Sequence, residues 1–238
     1  VSTPAVDVFS RFYEHLETVE TVIIREDTID PLTEPPSLCD VDVSNLEARD
    51  AIGKTVMIKL NGGLGTSMGL DKAKTLLDVR EGKNFLDLIV RQVLAARDRY
   101  DARLPLLLMN SFRTEADTLA HLARYPELPV DGLPLSFMQN QEPKLRADDL
   151  TPVEWPDDPS MEWCPPSHGD LYPALEGSGV LDKLLAQGFR YACVSNGDNL
   201  GAVPNATVAG WFAKSGAPYA AEVCRRTVND KKGGHLAI

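Results

Sequence analysis

A glycine-rich segment follows the first strong strand pattern of the chain and carries residues suited to holding phosphate. The strand pattern Thr-Val-Met-Ile-Lys-Leu60 runs directly into Asn-Gly-Gly-Leu-Gly-Thr-Ser-Met-Gly69, and Lys72 and Lys74 follow. Glycines allow positive φ angles and let backbone N–H groups approach phosphate oxygens without a Cβ in the way. A loop that leaves the carboxyl end of a parallel strand also lines the ligand crevice. The segment therefore predicts a phosphate-binding loop.

Two well-known phosphate loops do not fit this spacing. A Walker A loop requires GxxxxGK[ST], and no glycine here is followed by Lys and then Ser or Thr. A dinucleotide fingerprint requires GxGxxG, whereas Gly63, Gly65 and Gly69 give GxGxxxG. The gap before the next apolar run, Thr75–Val79, is also too short for a crossover helix. A turn without a ligand remains an alternative, but small residues and two lysines at one strand end favour binding.

The same segment resembles the nucleotide-binding signature of eukaryotic-type UDP-glucose pyrophosphorylases. The signature spans Lys59 to Gly69 and includes a lysine five residues after the last glycine, here Lys74; Ala73 stands where the family usually has proline. The resemblance implies that Lys74 is catalytic and contacts the α-phosphate. It further implies nucleotide contacts from the strand end and the loop, namely Leu60, Asn61, Gly62, Gly63, Gly65 and Thr66.

Later motifs occur in the order found in that family. Leu-Leu-Met-Asn-Ser-Phe112 resembles one family strand, and Phe-Met-Gln139 resembles the segment whose glutamine reads the uracil edge. An amide suits that task because it offers a donor and an acceptor in one plane. Pro-Pro-Ser-His-Gly-Asp170 resembles the family's Pro-Pro-Gly-His-Gly-Asp, which implies nucleotide contact at Ser167 and sugar contact at His168. Without the other motifs, His168 would be interpreted as an exposed loop residue.

The remaining motifs concern the metal and the sugar. Ser-Asn-Gly-Asp198 follows a strand pattern, and a carboxylate at a strand's carboxyl end is well placed for Mg²⁺. The resemblance implies that Asp198 is the metal ligand and that Asn196, Glu222 and Gly234 bind the sugar, the last within a Lys-Gly-Gly turn. An Asx turn after the strand, or a solvated lysine pair before Gly234, would account for the same residues without a ligand.

Alternating strand and helix patterns predict the elements that position these residues. Strand patterns cover Thr55–Leu60, Leu106–Met109, Leu135–Met138 and Tyr191–Val194, and helical patterns lie near 85–98, 114–124, 179–187 and 206–214. Asn84 with Asp87 and Thr114 with Asp117 supply capping signals. Alternation of this kind predicts an α/β fold with a mostly parallel sheet. The resemblance implies a Rossmann-like mixed sheet of the nucleotide-diphospho-sugar transferase, GT-A-like type.

Two regions follow from the patterns. Apolar residues at helical spacing in 5–24 predict an amphipathic helix, and an acidic, proline-containing stretch over 25–50 predicts an irregular connection, so residues 1–50 form an N-terminal appendage. The resemblance implies that residues 51–238 form the nucleotidyltransferase catalytic domain. The chain ends on an apolar stretch at Ile238, and the family continues with a second catalytic lysine and a C-terminal β-helix domain. We therefore expect the catalytic domain to be incomplete.

Composition limits the classes of function. The 238 residues are 43% hydrophobic, which is enough for one substantial core, and the net charge of −11 argues against binding nucleic-acid polymers. No apolar run approaches the roughly 20 residues that cross a bilayer, and no signal peptide is evident. We expect a cytoplasmic protein without a membrane partner. The four cysteines form no CxxC pair, which predicts reduced, buried thiols.

The resemblance implies a specific reaction. UTP and glucose 1-phosphate would give UDP-glucose and pyrophosphate by in-line attack at the α-phosphorus, with Mg²⁺ as cofactor. Three alternatives remain open: a catalytically silent UDP-sugar-binding fragment, a broad UDP-sugar or UDP-N-acetylhexosamine pyrophosphorylase, and, disfavoured by the glycine spacing, a NAD-dependent oxidoreductase. The oligomeric state is not indicated.

Overall fold

A four-stranded parallel sheet forms the centre of the molecule. The computed structural model describes residues 2–18, 23–64, 72–229, 234 and 236–238. The central strands are β1 (Thr55–Asn61), β4 (Leu106–Asn110), β5 (Ser136–Met138) and β8 (Tyr191–Asn196), in the spatial order β5-β4-β1-β8. Two short antiparallel pairs lie outside the sheet: β2 (Asp78–Arg80) with β3 (Lys83–Asn84), and β6 (Glu142–Pro143) with β7 (Trp163–Cys164).

Seven α-helices surround or extend this sheet in the described part of the chain. They are α1 (Thr3–Thr18), α2 (Asn45–Gly53), α3 (Phe85–Tyr100), α4 (Glu115–Leu122), α5 (Leu171–Gly177), α6 (Val180–Ala186) and α7 (Ala206–Ser215). Short 3₁₀ turns occur at Glu26–Thr28, Leu38–Asp40, Lys74–Leu76, Pro159–Glu162 and His168–Asp170. The α/β fold and the mostly parallel sheet that the sequence predicted are confirmed.

The sheet is covered on both faces because alternate residues of its strands point to opposite sides. On β1, Met57 packs into a core shared with α2, α3 and α7, whereas Val56 and Ile58 pack into a core shared with α5 and α6. The sequence of a strand that is buried on both faces is a nearly continuous run of apolar residues. This explains why β1 and β4 were recognisable from the sequence.

The order of the strands creates a crevice beside β1. The chain passes from β1 to β4 and β5 on one side and then returns to β8 on the other side of β1. In parallel sheets, ligands bind at such a reversal, beyond the carboxyl ends of the strands. The end of β1, the end of β8 and the residues that follow them therefore form the expected binding crevice.

The N-terminal region differs in part from the prediction. Helix α1 begins at Thr3, two residues before the predicted start, and is described to Thr18. Residues 19–22 lie outside the described part, and residues 23 and 24, which the prediction included, are not helical. The predicted irregular connection over 25–50 is interrupted by α2, which begins at Asn45. Ser44 caps α2 through a capping box with Glu47. Ser-x-x-Glu is a known start signal for a helix, whereas the prolines before it favour an irregular segment.

Two further differences concern caps and cysteines. Asn84 and Asp87 form the predicted capping box on α3, but Thr114 makes no side-chain cap on α4, because its hydroxyl accepts a hydrogen bond from the Ser111 N–H at 2.9 Å. The cysteines are free, yet Cys39 and Cys224 are exposed and only the other two are partly buried, so the prediction of buried thiols is wrong for half of them. None of the described helices is long and apolar enough to cross a bilayer.

Candidate functional site

Both ends of the glycine-rich loop are fastened beside the end of β1. The Ser111 hydroxyl donates to the carbonyl of Gly62 at 2.9 Å, and the backbone N–H of Lys74 donates to the carbonyl of Gly63 at 3.1 Å. Leu64 and Ala73 form an isolated antiparallel bridge. The loop therefore leaves and re-enters the fold at one place, which brings Lys74 next to Gly63. Gly65 and Thr66, the other predicted loop contacts, lie outside the described residues.

Gly62 and Gln139 meet on the β4 side of β1. Gln139 continues β5, since its N–H donates to the Asn110 carbonyl at 2.8 Å, and it is buried. A Cβ on Gly62 would lie 2.2 Å from Nε2 of Gln139, a distance that no folded protein tolerates without a shift. Within the described chain, the side-chain amide of Gln139 makes no hydrogen bond. Its donor and acceptor are thus available to a ligand lying over Gly62.

Asn61, the last residue of β1, anchors the start of the glycine-rich loop through side-chain hydrogen bonds. Its Nδ2 donates to Oδ1 of Asn110 at 2.7 Å and to Oγ1 of Thr118 at 2.9 Å, while its Oδ1 accepts from the Thr75 hydroxyl at 2.6 Å. The residue is buried, and these bonds occupy both ends of its amide. Any contact between a nucleotide and Asn61 would therefore come from the backbone. Leu60, the preceding predicted contact, is partly exposed at the end of β1.

Lys74 and Asp198 face each other on the β8 side of β1. Lys74 lies in the 3₁₀ turn Lys74–Leu76, Asp198 follows β8, and their side chains form an ion pair in which each is partly exposed. The hydrogen bond from Lys74 lowers the pKa of Asp198, and the charges of Lys74 and His168 lower it further. The structure thus brings Lys74 and Asp198 into contact, and the exposed His168 acts on Asp198 through its charge alone.

The segment that carries Asp198 packs closely on the end of β1. The Gly197 N–H donates to the Leu60 carbonyl at 2.9 Å. A Cβ on Gly197 would lie 2.6 Å from Cγ2 of Thr75 and 3.1 Å from that carbonyl, so the approach requires glycine. Oδ1 of Asn199 accepts from the N–H groups of Gly201 and Ala202 at 3.0 and 3.2 Å, which closes the turn after Asp198.

Two further predicted contacts, Asn196 for the sugar and Ser167 for the nucleotide, are exposed. Asn196 is exposed at the end of β8, in register with Leu60 on β1. Ser167 is exposed and has φ 78° and ψ −160°, a conformation that glycine adopts easily and other residues rarely do. The structure therefore gives a physical reason for the glycine that the family motif has at this position.

Glu222 and Gly234 are less closely tied to the centre. Glu222 is exposed, and its charge raises the pKa of the Cys193 thiol on β8, which burial already raises. The carbonyl of Gly234 accepts a hydrogen bond from Arg226 at 3.2 Å. Among the described contacts, none joins Gly234 to Gly62, Lys74 or Asp198. Its role in sugar binding stays a prediction, and the Lys-Gly pair before it lies outside the described residues.

Sequence reasoning missed two residues of this site. Ser111 holds the carbonyl of Gly62, and Thr75 joins Asn61 to the segment of Gly197. Ser111 stands inside the recognised Met-Asn-Ser-Phe motif, so its presence there was a signal. Thr75 directly follows Lys74 and carries no comparable signal, because a threonine beside a lysine is common on any surface.

Asp198 is the described residue best suited to a divalent cation. Its carboxylate is held ionised by its lowered pKa, and it stands at the carboxyl end of a strand. In the part of the chain that the structure describes, no three His, Cys, Asp or Glu side chains are grouped to hold a metal. An ion here would take its remaining ligands from phosphate oxygens and water. This is the coordination that Mg²⁺ prefers, so the residues fit the ion that the resemblance implies.

Comparison with known families decides the relationship. A family model described as UTP–glucose-1-phosphate uridylyltransferase matches residues 6–238. The chain belongs to this family. Relatives with that name include one from Solanum tuberosum, 39% identical over 218 residues, and one from Saccharomyces cerevisiae, 44% identical over 196 residues. Membership removes the NAD-dependent oxidoreductase from the open alternatives.

Solved structures of the uridylyltransferase family share the fold. A mutant of UDP-glucose pyrophosphorylase from Leishmania major, in complex with UDP-glucose, matches all of the chain with a TM-score of 0.90 and 44% identity. UDP-glucose phosphorylase from Trypanosoma brucei matches with a TM-score of 0.89 and 40% identity. The chain spans 49% of the Leishmania structure and 51% of the Trypanosoma structure. The match to the Solanum relative covers 91% of this chain and 43% of the relative, and the match to the Saccharomyces relative covers 82% and 38%.

Proposed function

We propose that this chain binds the uridine nucleotide and the sugar 1-phosphate of a UTP–glucose-1-phosphate uridylyltransferase, which joins UTP and glucose 1-phosphate to give UDP-glucose and pyrophosphate. The observation that carries the proposal is the division of groups around the end of β1. Gly62 and the amide of Gln139, which has no hydrogen-bond partner among the described residues, lie on one side, and the pair Lys74–Asp198 lies on the other. A nucleoside diphosphate needs such a division, with a planar polar contact for the base and charges for the phosphates.

The base would lie over Gly62. Because Gly62 has no side chain, the amide of Gln139 can lie against its backbone, and from there it can donate to and accept from the edge of uracil beside it. Ser111 fixes the carbonyl of Gly62, so the surface under the ring is held in place. Ser167 would contact the nucleotide from the opposite side, as the family motif implies.

The phosphates would lie near Lys74. Its ammonium pairs with Asp198 and is partly exposed, so it can also reach a phosphate oxygen. The sugar phosphate is already ionised at neutral pH and needs no general base. The work of the protein is then to align two anions and to offset the charge on the phosphoryl oxygens, which Lys74 and loop N–H groups can do. Mg²⁺, held by Asp198, would supply further positive charge, and His168, Asn196, Glu222 and Gly234 would face the sugar.

We also propose that residues 51–238 carry these sites as the first part of a nucleotidyltransferase domain, with residues 1–50 as an appendage to it. In support, all groups discussed above lie after residue 50. Helix α2 (Asn45–Gly53) spans the boundary and packs against α7, which ties the appendage to the domain.

Release of pyrophosphate from UTP in the presence of glucose 1-phosphate and Mg²⁺ tests the activity. We expect turnover to fall by about a hundredfold or more in Lys74→Ala, the range found when one preorganised electrostatic group is removed. Lys54→Ala is the matched control, because Lys54 is an exposed lysine at the opposite end of β1. Galactose 1-phosphate and N-acetylglucosamine 1-phosphate, offered as competing substrates, test the broader sugar specificity. Binding of UDP-glucose without any pyrophosphate release would favour the silent fragment instead.

A further inference from the structure

A lysine lies fully buried inside the central sheet. Lys59, on β1, is 1% exposed and ranks with the largest buried side chains of the described chain. Its Nζ donates to Oγ of Ser195 at 2.7 Å and to the backbone carbonyls of Ala202 and Asn199 at 3.0 and 3.3 Å. Within the described residues no carboxylate lies at ion-pair distance from this ammonium.

Such a side chain is costly to bury. Moving a charge out of water carries a penalty of several kcal/mol, and here hydrogen bonds to neutral oxygens offset it rather than an opposite charge. Burial accordingly lowers the pKa of Lys59. Leucine or methionine would fill the same place in an apolar strand without this penalty. Packing alone therefore does not explain why a lysine occupies position 59.

All three acceptors belong to one short segment. Ser195 lies directly opposite Lys59 in the register of β1 and β8, and Asn199 and Ala202 follow it. The segment from Ser195 to Ala202 contains Asp198, which faces Lys74. Lys59 holds the segment on both sides of Asp198, at Ser195 before it and at Asn199 and Ala202 after it. Within the same segment, Oδ1 of Asn199 accepts from the N–H groups of Gly201 and Ala202 and closes the turn.

We propose that Lys59 is a positioning residue for the phosphate side of the site: its buried ammonium fixes the segment 195–202 so that Asp198 can serve a divalent cation bound with the phosphates of a nucleotide sugar. The inference rests on the proposed function. It assigns Lys59 no contact with the substrate, since the side chain is enclosed by the sheet and the segment. It also predicts that Lys59 matters only to the part of the ligand that Asp198 serves.

Calorimetric titration of the 238-residue chain with UDP-glucose and Mg²⁺, and separately with uridine, tests this. Lys59→Met keeps the shape of the side chain and removes its charge. We expect it to weaken UDP-glucose binding about tenfold, within the range of coupling energies between interacting residues, and to leave uridine binding unchanged. Lys54→Met, at an exposed lysine, is the control and should leave both affinities unchanged.

A double-mutant cycle separates positioning from a general loss of structure. If Lys59 acts through Asp198, then Lys59→Met in an Asp198→Ala background causes no further loss of UDP-glucose affinity. Additive losses, or equal weakening of uridine and UDP-glucose, would overturn the inference. Should Lys59→Met fail to fold, Ser195→Ala removes the 2.7 Å bond and is put through the same cycle. Failure of the unsubstituted chain to bind UDP-glucose would instead refute the proposed function, so the two failures are distinguishable.

Discussion

Replacing Thr75 by valine tests the polar network beneath the nucleotide loop. The Thr75 hydroxyl donates at 2.6 Å to Oδ1 of Asn61, and no other described group donates to that oxygen. Both residues are buried. Valine has nearly the same shape, so Thr75→Val removes the hydrogen bond and leaves a buried acceptor unsatisfied, while the packing of its methyl group near Gly197 is kept.

The expected cost follows from that unsatisfied oxygen. Leaving a buried acceptor without a partner costs about 1–3 kcal/mol. For a chain of this length, each kcal/mol lowers Tm by roughly 2–4 °C. Urea unfolding followed by circular dichroism should show a lower midpoint with an unchanged slope, because the surface exposed on unfolding does not change. Thr33→Val, at an exposed threonine in an irregular segment, should stay within about 0.5 kcal/mol of the unsubstituted chain.

The same substitution has a consequence for binding. Thr75 follows Lys74 directly and touches the segment of Gly197, so its hydroxyl helps to fix both partners of the pair Lys74–Asp198. We expect Thr75→Val to weaken UDP-glucose binding several-fold. Equal stability of Thr75→Val and Thr33→Val, together with unchanged UDP-glucose affinity, would show that the network does not support the site and would refute this reasoning.

Three further substitutions test local features. Ser167→Gly should raise the free energy of unfolding by about 1 kcal/mol in thermal unfolding. Relief of about 1–3 kcal/mol of backbone strain at this position exceeds the roughly 0.5–1 kcal/mol that glycine costs in entropy. An unchanged Tm would argue against strain there. Asp87 accepts hydrogen bonds at 2.6 Å from Tyr125 and His121; burial alone would raise the pKa of Asp87, but these bonds outweigh it and lower the pKa. The stability this carboxylate contributes is present above its unfolded pKa of about 3.9 and is lost as pH falls through the lowered folded pKa. Asp87→Asn should therefore be less stable near neutral pH, and in urea titrations the difference from the unsubstituted chain should shrink as the pH falls below about 3.9; a constant difference would contradict this. Arg97 donates to three backbone carbonyls at 2.8–3.3 Å, and Arg97→Met should cost about 1.5–3 kcal/mol by chemical denaturation, whereas a loss under about 0.5 kcal/mol would show that water replaces these bonds.

Local patterns predicted most of the fold, and the errors have physical causes. Strands β1 and β4 are buried on both faces and were found within one residue of their ends, because short, continuous apolar runs rich in strand-forming residues are typical of strands in the core of a sheet. Helix α2 was not predicted, although Ser44 and Glu47 form its capping box. The prolines that precede it are typical of an irregular segment. Helix α5 contains Pro173 and ends at Gly177, two residue types that disfavour a helix, so the sequence did not predict it.

The site was predictable only where motifs carry it. The family signature named Gly62, Gln139, Lys74 and Asp198, and the structure brings these into two neighbouring groups. Lys59 could not be assigned from the sequence, because its partners lie 136 to 143 residues away and depend on the register between β1 and β8. A lysine inside an otherwise apolar strand was the available signal, and its meaning required the fold.

Calorimetric titration of this chain with UDP-glucose and Mg²⁺, beside Gly62→Ala, tests whether Gly62 and Gln139 form the uridine site. A methyl group at position 62 would lie 2.2 Å from Nε2 of Gln139, so it must displace the amide that is proposed to read uracil. We predict saturable binding by the unsubstituted chain and at least tenfold weaker binding by Gly62→Ala, with both proteins folded by circular dichroism. Equal affinities, or no binding by a folded unsubstituted chain, would contradict the account.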